Sequence, residues 1–206
     1  MGNGYYDIHA VEFVKSTFAV DMSALHARFL EHLKPGSKIL DAGCGPGRDA
    51  LAFKKMGHIV AAFDASPAMA GIASEVLSQP VLHCTFQEIA FREEFDAIWA
   101  CASLLHVPKN ELPEVLKRLT STLVQGGILY VSFKYGNGEK ITGDGRFFTD
   151  LDEDGLQEIV AQCAGIEFLD LWRTDDCRSE RRGEMWLNAI LCKNIINRES
   201  DIKSDL

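Results

Sequence analysis

Ile39-Leu40-Asp41-Ala42-Gly43-Cys44-Gly45-Pro46-Gly47-Arg48-Asp49 is the stretch that decides the fold of this 206-residue chain. Lys38, Ile39 and Leu40 read as the end of a short buried strand, with Asp41 at its carboxyl end. Gly43, Gly45 and Gly47 follow at every second position. A helix then begins near Arg48 and runs to Met56, with Gly57 as its C-terminal cap. Alternating glycines let a chain turn sharply and bring its backbone close to a ligand. The helix N-terminus behind them offers unpaired N–H groups and a positive dipole end, suited to a carboxylate or a phosphate. The bland alternative is a tight turn that holds nothing.

Working outward, His58-Ile59-Val60-Ala61-Ala62-Phe63 reads as a second strand ending at Asp64. In a doubly wound sheet this acid lies beside the glycine turn, where it can accept hydrogen bonds from both hydroxyls of a ribose. A dinucleotide site prefers G-x-G-x-x-G; here the spacing is G-x-G-x-G with an acid two residues before it. That Asp-x-Gly-x-Gly-x-Gly run resembles the first motif of class I S-adenosylmethionine-dependent methyltransferases. Asp64-Ala65-Ser66, with Met69 soon after, resembles their second cofactor segment. The resemblance favours methyl transfer over hydride transfer.

Beyond Asp64, Ser66 and Pro67 announce a helix with Met69, Ile72, Ala73 and Val76 on one face. Val81-Leu82-His83-Cys84 reads as a third strand. In the family the next turn carries an acid for the adenine amino group; here Thr85 and Phe86 take those places, followed by Gln87 and Glu88. Phe95 to Ala100 is an apolar fourth strand, buried on both faces. It leads into Cys101 to Pro108, the edge where a cofactor's reactive end meets its substrate. His106 there is the candidate general base, or else a structural histidine pinning the loop before Pro108. Leu112, Val115, Leu116, Leu119 and Leu123 mark an amphipathic helix closed by Gly126-Gly127, and Ile128 to Phe133 is the fifth strand. The resemblance covers residues 36 to 133.

Residues 1–35 read as an N-terminal helical cap, in which Asp21 or Ser23 caps the helix carrying Leu25, Phe29 and Leu33. Tyr5 and Tyr6 are either lid aromatics or packing for the first helix. Residues 134–193 read as substrate-side loops and a C-terminal hairpin. Lys134 to Glu139 and Gly143 to Arg146 form a glycine-rich polar connection, and Asp150 with Glu153 looks like a helix-start box. Ile166 to Leu171 and Trp186 to Cys192 are strands six and seven, able to pair antiparallel at the sheet edge. The connection between them holds Arg173, Arg178, Arg181 and Arg182. These arginines, with Lys134 and Arg146, either bind an anionic substrate or pair with Asp175, Asp176, Glu180 and Glu184 as a solvated hairpin. Residues 194–206 read as a frayed tail.

The fold expected is therefore α/β: a Rossmann-like doubly wound sheet of seven strands, mostly parallel with an antiparallel C-terminal hairpin, helices on both faces, in one domain. With 47% hydrophobic residues, 206 residues suffice for one well-buried core. A formal net charge of -9 disfavours non-specific nucleic-acid binding. No Asn/Asp-Pro-Pro-Tyr-type motif for a base amine is present. Six cysteines without a C-x-x-C pair read as reduced thiols. With no basic-then-apolar leader and no apolar run long enough to span a bilayer, the expectation is a cytoplasmic monomer or homodimer.

The resemblance implies S-adenosylmethionine as cofactor, S-adenosylhomocysteine as product, and no metal. It implies that Gly43, Cys44, Gly45 and Gly47 approach the methionine end and that Asp41 helps fix its ammonium group. Asp64, with Ala65, Ser66 and Met69, serves the ribose side; Thr85, Phe86 and Gln87 border the adenine; Ala100 and Cys101 line the methionine moiety. Tyr6, His106, Lys134, Arg146, Arg178 and Arg182 are the candidates for a small-molecule acceptor. The rival functions are a non-catalytic S-adenosylmethionine-binding protein and a nicotinamide-dependent oxidoreductase.

Overall fold

The computed structural model describes residues 4–178, 181 and 183–195. Helices α1 (Gly4–Ile8), α2 (Ala10–Thr17) and α3 (Ser23–Leu30) precede the sheet. Then follow β1 (Lys38–Ala42), α4 (Arg48–Lys55), β2 (Ile59–Asp64), α5 (Pro67–Leu77), β3 (Leu82–His83) and β4 (Phe95–Ala100). A 3-10 turn at Leu104–His106 leads to α6 (Leu112–Thr122), β5 (Leu123–Lys134), β6 (Gly138–Ile141), β7 (Phe147–Asp150), α7 (Glu153–Val160), β8 (Ile166–Asp175) and β9 (Met185–Lys193).

The main sheet has seven strands in the order β3-β2-β1-β4-β5-β9-β8. All pairs through β5 are parallel, while β9 runs antiparallel to both β5 and β8. Strand order reverses between β1 and β4, so the loops leaving their carboxyl ends diverge and open a crevice there. The central strands are apolar on both faces because helices cover both. On one side Phe29 of α3, Phe53 of α4 and Leu77 of α5 pack with Trp99, Tyr130 and Ile190. On the other, Leu116 and Leu119 of α6 and Leu156 and Ile159 of α7 pack with Leu40, Ile98 and Leu129. Trp99 and Tyr130 stack with ring centroids 3.9 Å apart, locking β4 to β5 on the first face.

Several local expectations are corrected. The third strand shrinks to Leu82–His83. Gly126 and Gly127 do not close α6; they lie inside the irregular start of β5, where a Cβ on Gly127 would stand 3.1 Å from the Asp96 carbonyl. The glycine-rich connection after Lys134 is not a plain loop, because β6 and β7 pair antiparallel as a separate ribbon. The cap of α7 is Asp152, whose side chain accepts from the Gly155 N–H, rather than Asp150. Met22 precedes α3 as its cap residue, although the Asp21 carboxylate does accept from Ser23 N–H at 2.9 Å. Residues 196–206, most of the expected frayed tail, lie outside the described residues.

Candidate active site

A cavity of about 780 Å³ opens at the carboxyl ends of β1, β2, β4 and β5, roofed by α1 and α2 and walled by the β6–β7 ribbon and the β8–β9 connection. That volume falls in the range of small-molecule sites. Three sequence features build its cofactor half.

First, Gly43, Gly45 and Gly47 all take positive φ (75°, 53° and 82°), yet they do different work. A Cβ on Gly43 would meet the Ser103 Cβ at 2.5 Å, so this glycine lets the loop after β4 close on the turn. A Cβ on Gly45 would project toward the cavity, touching only the Phe13 ring edge at 3.8 Å. Gly47 does not line the cavity: its missing Cβ makes room for Ala73 of α5, 3.2 Å away. Ala100 is likewise a packing residue, fully buried in the core on the α6 side. Both were expected at the cofactor, and neither is among the residues that line the cavity.

Second, Asp64 bridges the two cofactor segments. Its carboxylate accepts from Gly45 N–H at 2.7 Å and Ser66 N–H at 2.8 Å, and it lines the cavity. Ser66 in turn caps α5, its hydroxyl oxygen accepting from Met69 N–H, and donates to Asp7 of the roof. Ala65, Met69, Cys44, Thr85, Phe86 and Gln87 line the same half. Glu88 is fully exposed and accepts from both the Thr85 N–H and hydroxyl, so it shapes the turn instead of supplying an acid to the cavity.

Third, the start of α4 is answered by the protein's own acids. Ala50 N–H donates to Asp41 at 3.0 Å. Asp49 accepts from Arg48 through Nε and Nη2, both at 2.8 Å, from Trp99 Nε1 at 2.9 Å, and lies 3.0 Å from His26 Nε2. Burial pushes the Asp49 carboxyl up, but Arg48 and His26 more than reverse this and hold it below the usual carboxylate range. Asp41 has no such set of donors. Burial, then the neighbouring Asp49 charge, push its carboxyl well above the usual range. A buried acid beside the cavity with one amide partner suits a cation, so the expectation of an anion at this helix start is replaced. Arg48 and Asp49 were missed by sequence reasoning. The Arg-Asp pair directly after the third glycine was the available signal.

These residues fit S-adenosylmethionine: Asp41 for an ammonium, Asp64 for ribose hydroxyls, an open backbone at Gly45, and Phe86 with Thr85 and Gln87 beyond Asp64. Cys101 also lines the cavity, its thiol pushed up to about 12, first by burial.

The other half of the cavity is built around His106. Its Nδ1 lies 2.7 Å from the Phe147 carbonyl and so carries the proton, which leaves Nε2 to accept from the Tyr6 hydroxyl at 2.8 Å. Burial lowers the His106 pKa to about 4, against the Phe147 carbonyl and aided by the charge of Arg146. Burial also raises the Tyr6 hydroxyl, with Arg146 opposing. Both groups are therefore neutral at pH 7. Arg146 stacks over Tyr5 with its guanidinium carbon 4.5 Å from the ring centroid and pairs with Asp144 at 2.6 Å.

The remaining cations line the rim with partners of their own. Lys134 is paired with Glu184, which Arg181 also approaches at 3.6 Å, and Arg178 binds Asp176 with Nη2 at 2.6 Å. Arg173 pairs with Glu153 away from the cavity. Arg182 lies outside the described residues. Phe13, Ser132, Tyr130, Phe148, Thr174 and Asn188 are among the other lining residues and were not singled out from sequence, because position along a helix or strand does not tell a packed side chain from one at the cavity. Among the described residues no group of three or more His, Cys, Asp or Glu is placed to hold a metal ion.

Residues 39–127 match the family model of a methyltransferase domain. In that stretch and in its fold, the chain is similar to class I S-adenosylmethionine-dependent methyltransferases. A stretch of 107 residues is 30% identical to an uncharacterized methyltransferase of Staphylococcus carnosus, covering 52% of each chain. Another of 119 residues is 34% identical to malonyl-[acyl-carrier protein] O-methyltransferase of Erwinia pyrifoliae, covering 51% of this chain and 45% of that one. The chain thus spans about half the length of the curated relatives it matches. In structure it is similar to 1,6-didemethyltoxoflavin-N1-methyltransferase of Burkholderia thailandensis, with a TM-score of 0.75 and 23% identity over 93% of this chain and 84% of the other. Among the described residues, no helix is long and apolar enough to cross a membrane.

Proposed function

We propose that this protein transfers the methyl group of S-adenosylmethionine to a small-molecule acceptor. The observation that carries this reading is the junction of Asp64 with both cofactor segments: one carboxylate orders the glycine turn and the start of α5 while lining the cavity. The cofactor supplies an electrophilic sulfonium methyl. Asp41 binds the ammonium end, Asp64 the ribose, and Thr85 to Gln87 the base. The roof formed by α1 and α2 excludes water and holds the acceptor in line, a contribution worth about several kcal/mol of the barrier.

His106 serves this reaction as a neutral hydrogen-bond acceptor that aims the Tyr6 hydroxyl, so Tyr6 is the group presented to the acceptor. A histidine titrating at about 4 is a weak base near pH 7, so the acceptor's proton leaves to solvent or the nucleophile carries none. The Burkholderia structure, which contains bound 1,6-didemethyltoxoflavin and S-adenosylhomocysteine, supports an acceptor of small size. The rim arginines support an anionic acceptor only weakly, since Arg146, Arg178 and Arg181 are each paired with an acid. The test is formation of S-adenosylhomocysteine in a screen of small acceptors. Turnover establishes catalysis, and cofactor binding with no turnover across the screen favours a non-catalytic binding protein.

A further inference from the structure

The sheet face beneath α3 changes character as it runs toward the cavity. By strand alternation Tyr130, Ser132 and Lys134 share one face of β5. Ser132 is in register with Asn188 of β9, and Asn188 with Trp172 of β8. Deeper in, this face is apolar, with Ile190 and Trp99 packed on Phe29. At the cavity it becomes polar across three neighbouring strands, although Ser132 and Asn188 are 2% and 1% exposed. Nothing in the packing of a sheet on a helix asks for this, and burying polar groups costs free energy unless they are bonded.

The bonding pattern leaves the Thr174 hydroxyl to serve a ligand. Tyr130 donates to Asn188 Oδ1 at 2.7 Å, and Asn188 Nδ2 donates to Thr174 Oγ1 at 3.1 Å. Ser132 Oγ accepts from Ala102 N–H at 2.8 Å and lies against both the Tyr130 hydroxyl and the Cys101 sulfur, so its own hydrogen is used within the protein. Thr174 accepts from Asn188 and keeps its hydroxyl hydrogen to donate. Both hydroxyls line the cavity, with the Trp186 and Phe148 rings beside them. The cations of this half are paired: Arg146 with Asp144, Arg178 with Asp176, and Lys134 and Arg181 with a shared Glu184.

We propose that this end of the cavity recognises an uncharged planar acceptor, an aromatic or heteroaromatic ring bearing an amide or ring carbonyl, whose lone pairs accept from Thr174. The proposal rests on the methyltransferase reading and names its acceptor class. An anion would have to compete with the carboxylates already paired with these cations, whereas a neutral ring edge displaces none of them.

The test is calorimetric titration of the protein, first with S-adenosylhomocysteine and then, once saturated, with salicylamide and with salicylate. These probes share an outline and differ by one charge. The expected result is amide binding at least about 10-fold tighter than carboxylate binding, weakened about 10-fold by Thr174→Val and by Asn188→Leu, as the loss of one hydrogen bond implies. Affinity for S-adenosylhomocysteine stays unchanged in both variants and reports that each is folded; if Asn188→Leu does not fold, Thr174→Val carries the test. Equal affinities, a preference for the carboxylate, or no amide binding up to its solubility limit overturns the proposal. Failure of the first titration refutes the cofactor reading instead, and the two failures are told apart.

Discussion

The Tyr6 hydroxyl and His106 Nε2 are 2.8 Å apart, although the residues come from the roof helix α1 and from the loop after β4. This hydrogen bond ties the roof to the loop after β4 within the cavity. Because Phe147 fixes the proton on Nδ1, the direction of the bond is fixed too. Tyr6→Phe removes the hydroxyl and leaves the ring, so turnover falls about 10-fold while affinity for S-adenosylhomocysteine stays within about 3-fold. Steady-state kinetics beside calorimetry reads the split, and an equal fall in both quantities would assign Tyr6 to the roof alone.

The same histidine makes a pH prediction. His106 is neutral in the folded protein down to about pH 4, while in the unfolded chain it takes a proton near pH 6.5. The unfolded state therefore binds more protons in that window, and the contribution to stability is lost as pH falls from about 6.5 to about 4. Turnover, by contrast, shows no ionisation of His106 between about pH 5.5 and 8, since its base form persists throughout. A kcat/KM limb near pH 6.5 that disappears in His106→Gln would restore the general-base role.

Asp41 lies beside Asp49, and only Asp49 has a full set of donors. In the empty protein Asp41 holds its proton above the usual carboxylate range, and an ammonium group placed against it favours the ionised form. Binding of S-adenosylhomocysteine then releases a proton and tightens as pH rises toward the raised pKa of Asp41. Calorimetry at pH 6 in two buffers of different ionisation enthalpy measures that proton. Asp41→Asn abolishes the release, and a wild-type protein that releases none contradicts the assignment.

Asp49 gathers His26, Arg48 and Trp99 under the glycine turn, with His26, Asp49 and Trp99 buried and Arg48 half-buried at the cavity. Removing one partner of a buried charged network strands the others, at a cost of roughly 3–5 kcal/mol. Asp49→Ala is expected to lose stability of that order in urea unfolding. A loss below about 1 kcal/mol would mean that the network is hydrated or relaxes freely.

The core was legible because its signals are local. Glycines at every second position, an acid ending each of two apolar strands, and Ser66-Pro67 at a helix start each carry their own physics. The β6–β7 ribbon was not, because Gly136, Gly138, Gly143 and Gly145 mask the short alternation of Lys140, Ile141, Phe147 and Phe148. Nor could the sequence separate Gly47 from its two neighbours, since spacing alone does not reveal that Ala73 packs against it. The pairing of Tyr6 with His106 spans 100 positions and emerges only when the roof folds over the sheet. For the same reason the sequence left open whether the rim arginines bind an anion or pair with acids such as Asp176 and Glu184, a choice that the fold makes by placing those acids, and Asp144, beside them.

Asp64 carries the central claim, and the most direct measurement is calorimetric titration with S-adenosylhomocysteine, with NAD as control, on the wild type and Asp64→Ala. The account predicts micromolar binding of S-adenosylhomocysteine by the wild type and none of NAD. It also predicts a loss of about 10- to 100-fold in the variant, since hydrogen bonds to a charged group are worth about 1.5–3 kcal/mol. Binding of NAD alone, or affinity unchanged by removal of Asp64, would contradict it.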